Sequence, residues 1–135
     1  MKQTFADTSY WVAVFWFEDQ WREAALKATD HIGNAEIVTT ETILIEVLNY
    51  FSEFKSEIKE KVANAIETLL HNDEILVLQH RHEDFLKGLK LYKSRFDKGY
   101  SLTDCISMNQ MREFGITEIL TNDTHFQQEG FTKLF

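Results

Sequence analysis

The sequence has no proline, one cysteine and only five glycines among its 135 residues. A single cysteine excludes a disulfide framework, and this favours a reducing compartment. The scarcity of glycine and proline leaves no stretch that is typical of a flexible linker. A chain of this length is long enough to bury a core of its own. The sequence therefore predicts a single domain over residues 1–135.

Long hydrophobic runs are also missing. The most apolar stretch, Tyr10 to Phe17, has eight residues, whereas a membrane-spanning helix needs about 20. Asp7 interrupts the approach to this run, and Glu18 and Asp19 follow it where a signal peptide would have small residues. We therefore expect a soluble, cytoplasmic protein without a membrane partner.

Positive charge is in deficit, since 14 lysines and arginines stand against 22 acidic residues and the net charge is −8. Nucleic-acid-binding proteins are usually basic, but a metal ion held by clustered acids would cancel part of the negative charge locally. The segment from Arg81 to Lys98 is locally positive. Its residues Lys87, Lys90 and Lys93 are candidates for contacts with phosphates, and the alternative is a solvated helix face.

Short apolar runs alternate with segments of helical periodicity along the whole chain. Strands are predicted at Lys2–Ala6, Glu36–Thr39, Glu74–Leu78 and Glu118–Thr121, and around Phe131. Helices are predicted at Tyr10–Phe17, from Asp19 or Gln20 to about His31, at Glu41–Phe51, from Ser56, in the basic segment, and from Ser101. Within the basic helix, the predicted buried stripe is Phe85, Leu89, Tyr92 and Phe96. This alternation indicates a mostly parallel sheet flanked by helices.

Two acidic residues follow predicted strands, Asp7 after the first and Asp123 after the fourth. In an open α/β sheet, ligands bind beyond the carboxyl ends of the strands. Asp104 is predicted in the first turn of a helix and Glu46 on another helix. Both are candidates to lie at the same edge of the sheet as Asp7 and Asp123. Four carboxylates at one point repel each other unless a cation holds them, and a divalent metal is the usual one. The sequence therefore predicts a metal site.

Each of these acids also has a purely structural explanation. Glu46 lies within an apolar helix, so it is either on an exposed face or directed into a site where a cation compensates its charge. Ser101 and Asp104 match the capping box, in which the acid bonds back to the amide of the first residue. Asp7 and Asp123 follow strands, where an acid often only begins a turn. Only the combination of all four acids favours a metal site.

Other candidate residues carry weaker signals. His125, beside Asp123, is in a position to reach a phosphate, although a packed or turn histidine is the simpler interpretation. Asn49 lies three residues after Glu46 on the same helical face, where it is a candidate for holding water or substrate. Cys105 is expected in the core. No phosphate-binding glycine loop, dinucleotide fingerprint or nucleophile elbow is present.

The order and surroundings of the four acids resemble the PIN-domain family, in particular its small VapC-type toxin ribonucleases. The matching segments are DTS at 7–9, TTETILIEVLN at 39–49, DKGYSLTDC at 97–105, LTNDTHF at 120–126 and GF at 130–131. Together they extend over essentially the whole chain. The segments SLTDC and TNDTHF are the more specific ones.

The resemblance implies a three-layer α/β/α sandwich with a mostly parallel central sheet. It implies that Asp7, Glu46, Asp104 and Asp123 are the catalytic, metal-binding residues and that the metal is Mg²⁺ or Mn²⁺. It also implies hydrolysis of RNA phosphodiester bonds, homodimers and a small antitoxin partner. Two alternatives stay open at this point: a non-catalytic protein-interaction module, and a DNA-directed nuclease with the same metal site.

Overall fold

A computed structural model describes residues 2–135. These residues form a five-stranded sheet in which every neighbouring pair of strands is parallel. The strands are β1 (Gln3–Ala6), β2 (Glu36–Thr40), β3 (Ile75–Leu78), β4 (Glu118–Leu120) and β5 (Thr132–Lys133). The helices are α1 (Thr8–Phe15), α2 (Arg22–Ile32), α3 (Glu41–Tyr50), α4 (Ser56–Leu69), α5 (His82–Lys93), α6 (Leu102–Phe114) and α7 (His125–Gln128).

The strand order is β3-β2-β1-β4-β5. The chain moves outward from β1 to β3 and then returns to place β4 on the other side of β1. Because crossovers between parallel strands are right-handed, this reversal puts the helices before β3 on one face and those after it on the other. The α/β/α arrangement predicted from the sequence is confirmed, and the sheet is entirely parallel. A crevice opens where the order reverses, between the carboxyl ends of β1 and β4.

The central strands are buried on both faces, as strands of parallel sheets are. Phe5 of β1 lies between Val38 of β2 and Ile119 of β4 in register, and all three side chains have no exposed surface. The remainder of the core comes from helices on the two faces, for example Phe51 at the end of α3 and Met108 of α6. This rigid centre holds the strand ends in place.

Local capping determines where the helices next to the crevice begin. The Thr40 hydroxyl accepts a hydrogen bond from the amide of Ile43 over 3.0 Å, so α3 starts directly after β2. Ser101 and Asp104 form the predicted capping box at the start of α6. Gly115 ends α6 with a φ of 67°, a left-handed conformation that favours glycine.

The predicted elements are all present, with small shifts of their bounds. Helix α1 begins and ends two residues before the predicted Tyr10–Phe17, because Thr8 already belongs to its first turn. Strand β5 begins just after Phe131. The short helix α7 follows β4 and was not predicted from the sequence.

The predicted buried stripe of α5 is wrong. Phe85, Leu89 and Tyr92 are 38–39% exposed and Phe96 is 73% exposed. The residues of α5 that face α6 are instead Asp84 and Gly88, which are buried, and Leu91, which is partly buried. At 3.6 residues per turn, the apolar stripe is rotated by roughly a quarter turn from that face.

The reason is the close approach of the two helices at Gly88. A Cβ at this position would lie 2.5 Å from Cγ1 of Ile106 in α6, so only glycine fits there. Asp84 tolerates burial because Arg81 neutralises it, with Nη2 of Arg81 and Oδ1 of Asp84 2.7 Å apart. Small size and charge pairing, rather than hydrophobicity, therefore select the inner face of α5.

Candidate active site

The four predicted acids line one open cavity of about 540 Å³ at the carboxyl edge of the sheet. Asp7 follows β1, Asp123 follows β4, Glu46 is on α3 and Asp104 is in the first turn of α6. The cavity is therefore the crevice at which the strand order reverses. Its wall also contains Thr8, Ser9, Val12, Asp19, Tyr50, Asn122 and Thr124.

Asp7 is the most buried of the acids, with 5% of its surface exposed. Its amide donates to the carbonyl of Leu120 over 3.1 Å, and its Oδ2 accepts from the hydroxyl of Thr121 over 2.9 Å. Burial raises its pKa from 3.8 to about 7, and the charges of Asp104 and then Glu46 contribute to the rise. An ionised Asp7 is thus costly unless a positive charge is close.

Glu46 is half-buried and lines the cavity. Its Oε1 accepts a hydrogen bond from the hydroxyl of Thr8. Within residues 2–135, no lysine or arginine forms an ion pair with this carboxylate. Its charge is therefore not neutralised by a structural partner.

Asp104 both caps a helix and lines the cavity. Its Oδ2 accepts from the amide of Ser101, and its own amide donates to the Ser101 hydroxyl, both over 3.0 Å. The same carboxylate faces the cavity, with Oδ2 3.6 Å from Nδ1 of His125. Burial raises the pKa of Asp104, and the charge of Asp123 adds to this rise. Capping therefore does not keep the carboxylate out of the cavity.

Asp123 lies in the tight turn between β4 and α7. Its Oδ1 accepts from the amide of His125 over 2.9 Å, and its own amide donates to the Thr121 hydroxyl over 3.0 Å. Nδ1 of His125 is 3.2 Å from the same oxygen of Asp123, but it is buried and makes no aligned hydrogen bond within residues 2–135. One ligand atom from each of Asp104, Asp123 and His125 lies within 4.8 Å of the others.

Sequence reasoning missed the hydroxyl groups that hold this arrangement. The hydroxyls of Ser9 and Thr121 are 3.1 Å apart, and the Ser9 hydroxyl also accepts from the amide of Asn122 over 3.3 Å. Thr8 and Ser9 have a visible signal in the sequence, since they directly follow Asp7, but hydroxyl residues are also common at helix starts. The contacts of Ser9 link the ends of β1 and β4, whereas Thr8 contacts Glu46 on α3.

The second missed residue is Tyr50, four positions after Glu46 and hence on the same side of α3. Tyr50 lines the cavity, whereas Asn49 is exposed and does not. His125, which was given the simpler interpretation of a packed or turn residue, contacts two of the acids. Cys105 is fully buried, as expected for a core residue.

The charges of the cavity favour a cation. Five acidic residues line it, and no lysine or arginine of residues 2–135 does so. The oxygen ligands that these side chains offer suit Mg²⁺ and Mn²⁺. Burial raises the pKa of Asp7, so a cation close to this carboxylate would favour its ionised form. The residues present thus fit a divalent metal ion.

No protein-family model matches the chain, and a sequence search of curated proteins finds no match. A structural match exists to Mycobacterium tuberculosis VapC20, described as a Sarcin-Ricin loop cleaving toxin, with a TM-score of 0.85. The match covers 96% of each chain at 19% sequence identity. At this identity the likeness establishes the fold. The chain has the VapC-type PIN fold, in agreement with the resemblance noted in its sequence.

The structure also bears on membrane association. None of the helices within residues 2–135 has both the length and the apolar character needed to cross a bilayer.

Proposed function

We propose that this protein is a metal-dependent endoribonuclease that hydrolyses RNA phosphodiester bonds and acts in the cytoplasm as the toxin of a toxin–antitoxin pair. The observation that carries the proposal is the convergence of Asp7, Glu46, Asp104 and Asp123 on one cavity at the reversal point of the sheet. The shared fold with VapC20, which is described as a toxin that cleaves the Sarcin-Ricin loop, supports it.

The four acids would hold Mg²⁺ or Mn²⁺, and His125 lies close enough to two of them to join as a ligand. Such an ion supplies Lewis acidity, since it stabilises negative charge on the phosphate oxygens and makes water a stronger nucleophile. The hydroxyls of Thr121 and Thr8 orient Oδ2 of Asp7 and Oε1 of Glu46 by donating to them. No side-chain nucleophile is required for this reaction.

Cleavage assays with purified protein test the proposal. We expect RNA to be cut in Mg²⁺ or Mn²⁺ and not in EDTA, and Asp7→Asn to remove the activity without unfolding the protein. Asn can still accept the hydrogen bond that Thr121 donates to Asp7. Preferential cutting of a DNA of the same sequence would assign the site to a DNA-directed nuclease. Absence of any metal-dependent cutting would favour a non-catalytic interaction module.

We propose, in addition, that the protein forms a homodimer through α5. The apolar residues that the fold leaves exposed on this helix and in the turn after it form a stripe that a second copy would cover, namely Phe85, Leu86, Leu89 and Tyr92 on α5 and Phe96 in the turn. A single helical stripe suits a two-fold interface, because the same surface is used on both copies. Burying this apolar stripe between two copies would remove the free-energy cost of exposing it to water.

Sedimentation of Leu89→Asp and of a control, Leu26→Asp, tests this interface. Leu26 is also an exposed leucine, 42% accessible, but it lies on α2. We expect only the α5 variant to sediment as a monomer. Equal dimer content in both variants would contradict the proposal. Relief of growth arrest by a co-expressed neighbouring small protein would identify the antitoxin.

A further inference from the structure

A series of aromatic side chains extends from Tyr50, in the wall of the acidic cavity, through Phe54 to Trp16 and Phe17. We call it the aromatic rim, and it consists of Trp16, Phe17, Tyr50 and Phe54. Tyr50 lines the cavity itself, one helical turn after Glu46. Phe17 precedes by two positions another residue of the cavity wall, Asp19. The rim therefore meets the cavity wall at Tyr50.

The rings of the rim are held by the core. Phe51, which is 1% exposed, contacts Tyr50 edge-on at 5.1 Å and Phe54 at 4.9 Å between ring centroids. Phe54 in turn contacts Trp16 at 5.2 Å, and Trp16 contacts Phe17 at 5.0 Å. Contacts of this kind fix ring orientation. The rim is thus a preformed surface rather than a set of free side chains.

Two rings of the rim present much of their surface to solvent. Phe17 is 70% exposed and Tyr50 is 51% exposed. A single exposed apolar residue needs no explanation. Here, however, Tyr50 lies in the wall of the cavity in which the acids meet, so a molecule bound at the acids would also contact this ring.

We propose that Tyr50, at the cavity end of the aromatic rim, stacks a nucleobase of the RNA whose phosphate lies at the acids. This inference rests on the proposed ribonuclease function. Bases are accessible for stacking only where they leave a duplex, and stacking on aromatic rings is the general way in which proteins hold single strands. Tyr50 supplies the ring nearest to the acids.

The charges around the rim favour a base over a phosphate. Glu18 and Asp19 follow Phe17 directly and are exposed and half-buried, respectively. These carboxylates repel a phosphate that approaches the rim, whereas a neutral base stacks on a ring regardless of them. Phosphates of the strand are therefore directed to the metal site and bases to the rim.

The experiment measures RNA affinity by fluorescence anisotropy in Ca²⁺, which is used to occupy the acids while cleavage is suppressed. The probes are a short single-stranded RNA, a fully paired duplex of the same sequence, and a set of single strands with one abasic nucleotide each. The variants are Tyr50→Leu and Phe17→Leu, with Tyr50→Phe as the conservative replacement that keeps the ring. Phe114→Leu is the matched control, because Phe114 is a 43% exposed phenylalanine at the end of α6.

We expect the single strand to bind more tightly than the duplex. Tyr50→Leu should weaken single-strand binding by about 5- to 150-fold, the range for the loss of one stacked base. Tyr50→Phe and Phe114→Leu should bind like the wild type. One abasic position should weaken wild-type binding by a similar factor and have no further effect in Tyr50→Leu, because both changes remove the same stacking interaction. Melting temperatures of all variants check that each is folded.

Two results would overturn the inference while leaving the ribonuclease proposal intact. In one, the wild type binds and cleaves RNA, but both rim variants match Phe114→Leu with every probe. In the other, the rim variants lose only a bound protein partner and keep full RNA affinity, which assigns the rim to that partner. A wild type that neither binds nor cleaves RNA refutes the ribonuclease proposal itself, and the rim inference with it.

Discussion

The hydroxyl of Thr121 donates a 2.9 Å hydrogen bond to Oδ2 of Asp7, and this bond joins the residue after β4 to the residue after β1. Both side chains are buried. The bond therefore lies at the point where the strand order of the sheet reverses and orients the least accessible of the four acids. Burial makes the ionisation of this carboxylate costly unless a cation is close.

The first prediction concerns Asp7 and pH. Its pKa in the folded protein is raised from 3.8 to about 7, mainly by burial. The folded protein thus binds this proton more tightly than the unfolded chain. In EDTA, the stability that Asp7 contributes is complete below about pH 4 and is lost as the pH rises through about 7. The free energy of unfolding falls by no more than about 4 kcal/mol over this range.

Asp7→Asn should remove this pH dependence, because Asn carries no charge and still accepts the bond from Thr121. Urea unfolding as a function of pH measures it, with the exposed Asp30→Asn as control. The variant should be more stable than the wild type above about pH 7. Parallel curves for the wild type and Asp7→Asn would contradict the raised pKa.

The second prediction concerns Glu46, whose effects on activity and stability should be opposite. Glu46→Gln keeps an acceptor for the Thr8 hydroxyl but removes one charge from the acidic cavity. We expect Mg²⁺-dependent cleavage to be lost, while the melting temperature in EDTA stays equal or rises because like-charge repulsion decreases.

Melting in Mg²⁺ provides the complementary measurement. The wild type should gain about 3 kcal/mol when Mg²⁺ is at 100 times its dissociation constant, and Glu46→Gln should gain less. Glu67→Gln on α4, an exposed position, is the control. A Glu46 variant that melts far below the wild type in EDTA yet still cleaves RNA would remove Glu46 from the site.

The third prediction separates the two roles of Asp104. Asp104→Asn can still accept from the amide of Ser101 and should keep the fold, but calorimetric titration should show weaker Mn²⁺ binding. Ser101→Ala should have the opposite effects. It loses the cap, which costs about 1 kcal/mol of stability, but it leaves the Asp104 carboxylate in place and should keep Mn²⁺ binding. Equal Mn²⁺ affinity in Asp104→Asn and the wild type would reduce Asp104 to a capping residue.

The fourth prediction tests whether Lys87, Lys90 and Lys93 bind phosphates. Replacement of all three by Gln should weaken RNA binding and reduce the slope of log K against log salt by about 0.7 for each phosphate that is no longer neutralised. Lys27→Gln is a suitable control, because Lys27 pairs with Glu23 on α2 as Lys87 pairs with Glu83 on α5. An unchanged slope would mean that the three lysines form only a solvated helix face.

The fifth prediction concerns the packing of α5 on α6. Gly88→Ala should lower the free energy of unfolding by about 1–3 kcal/mol through overpacking, although alanine is the better helix former. In an Ile106→Ala background, where the clashing Cγ1 is absent, the same substitution should be neutral or stabilising. Chemical denaturation of the wild type, the two single variants and the double variant measures whether the effect of Gly88→Ala on the free energy of unfolding changes sign. Equal effects in both backgrounds would contradict the close approach.

The sequence alone determined the alternation of strands and helices, the parallel sheet, and the placement of Asp7 and Asp123 after strands. These features follow from local causes: residue periodicity, caps such as Ser101, and the rule that parallel strands end at the same edge of a sheet. Glu46 and Asp104 were also recognisable, because acids within an apolar helix or at a helix start stand out from their surroundings.

Tertiary structure alone decided which side of each helix faces inward. In α5, the apolar residues predicted the wrong face, because the approach to α6 is set by the missing side chain of Gly88 and by the Arg81–Asp84 pair. The same holds for Tyr50, which reaches the cavity when Asn49 does not. Such contacts depend on the separation and rotation of elements distant in sequence, which no local pattern of residues specifies.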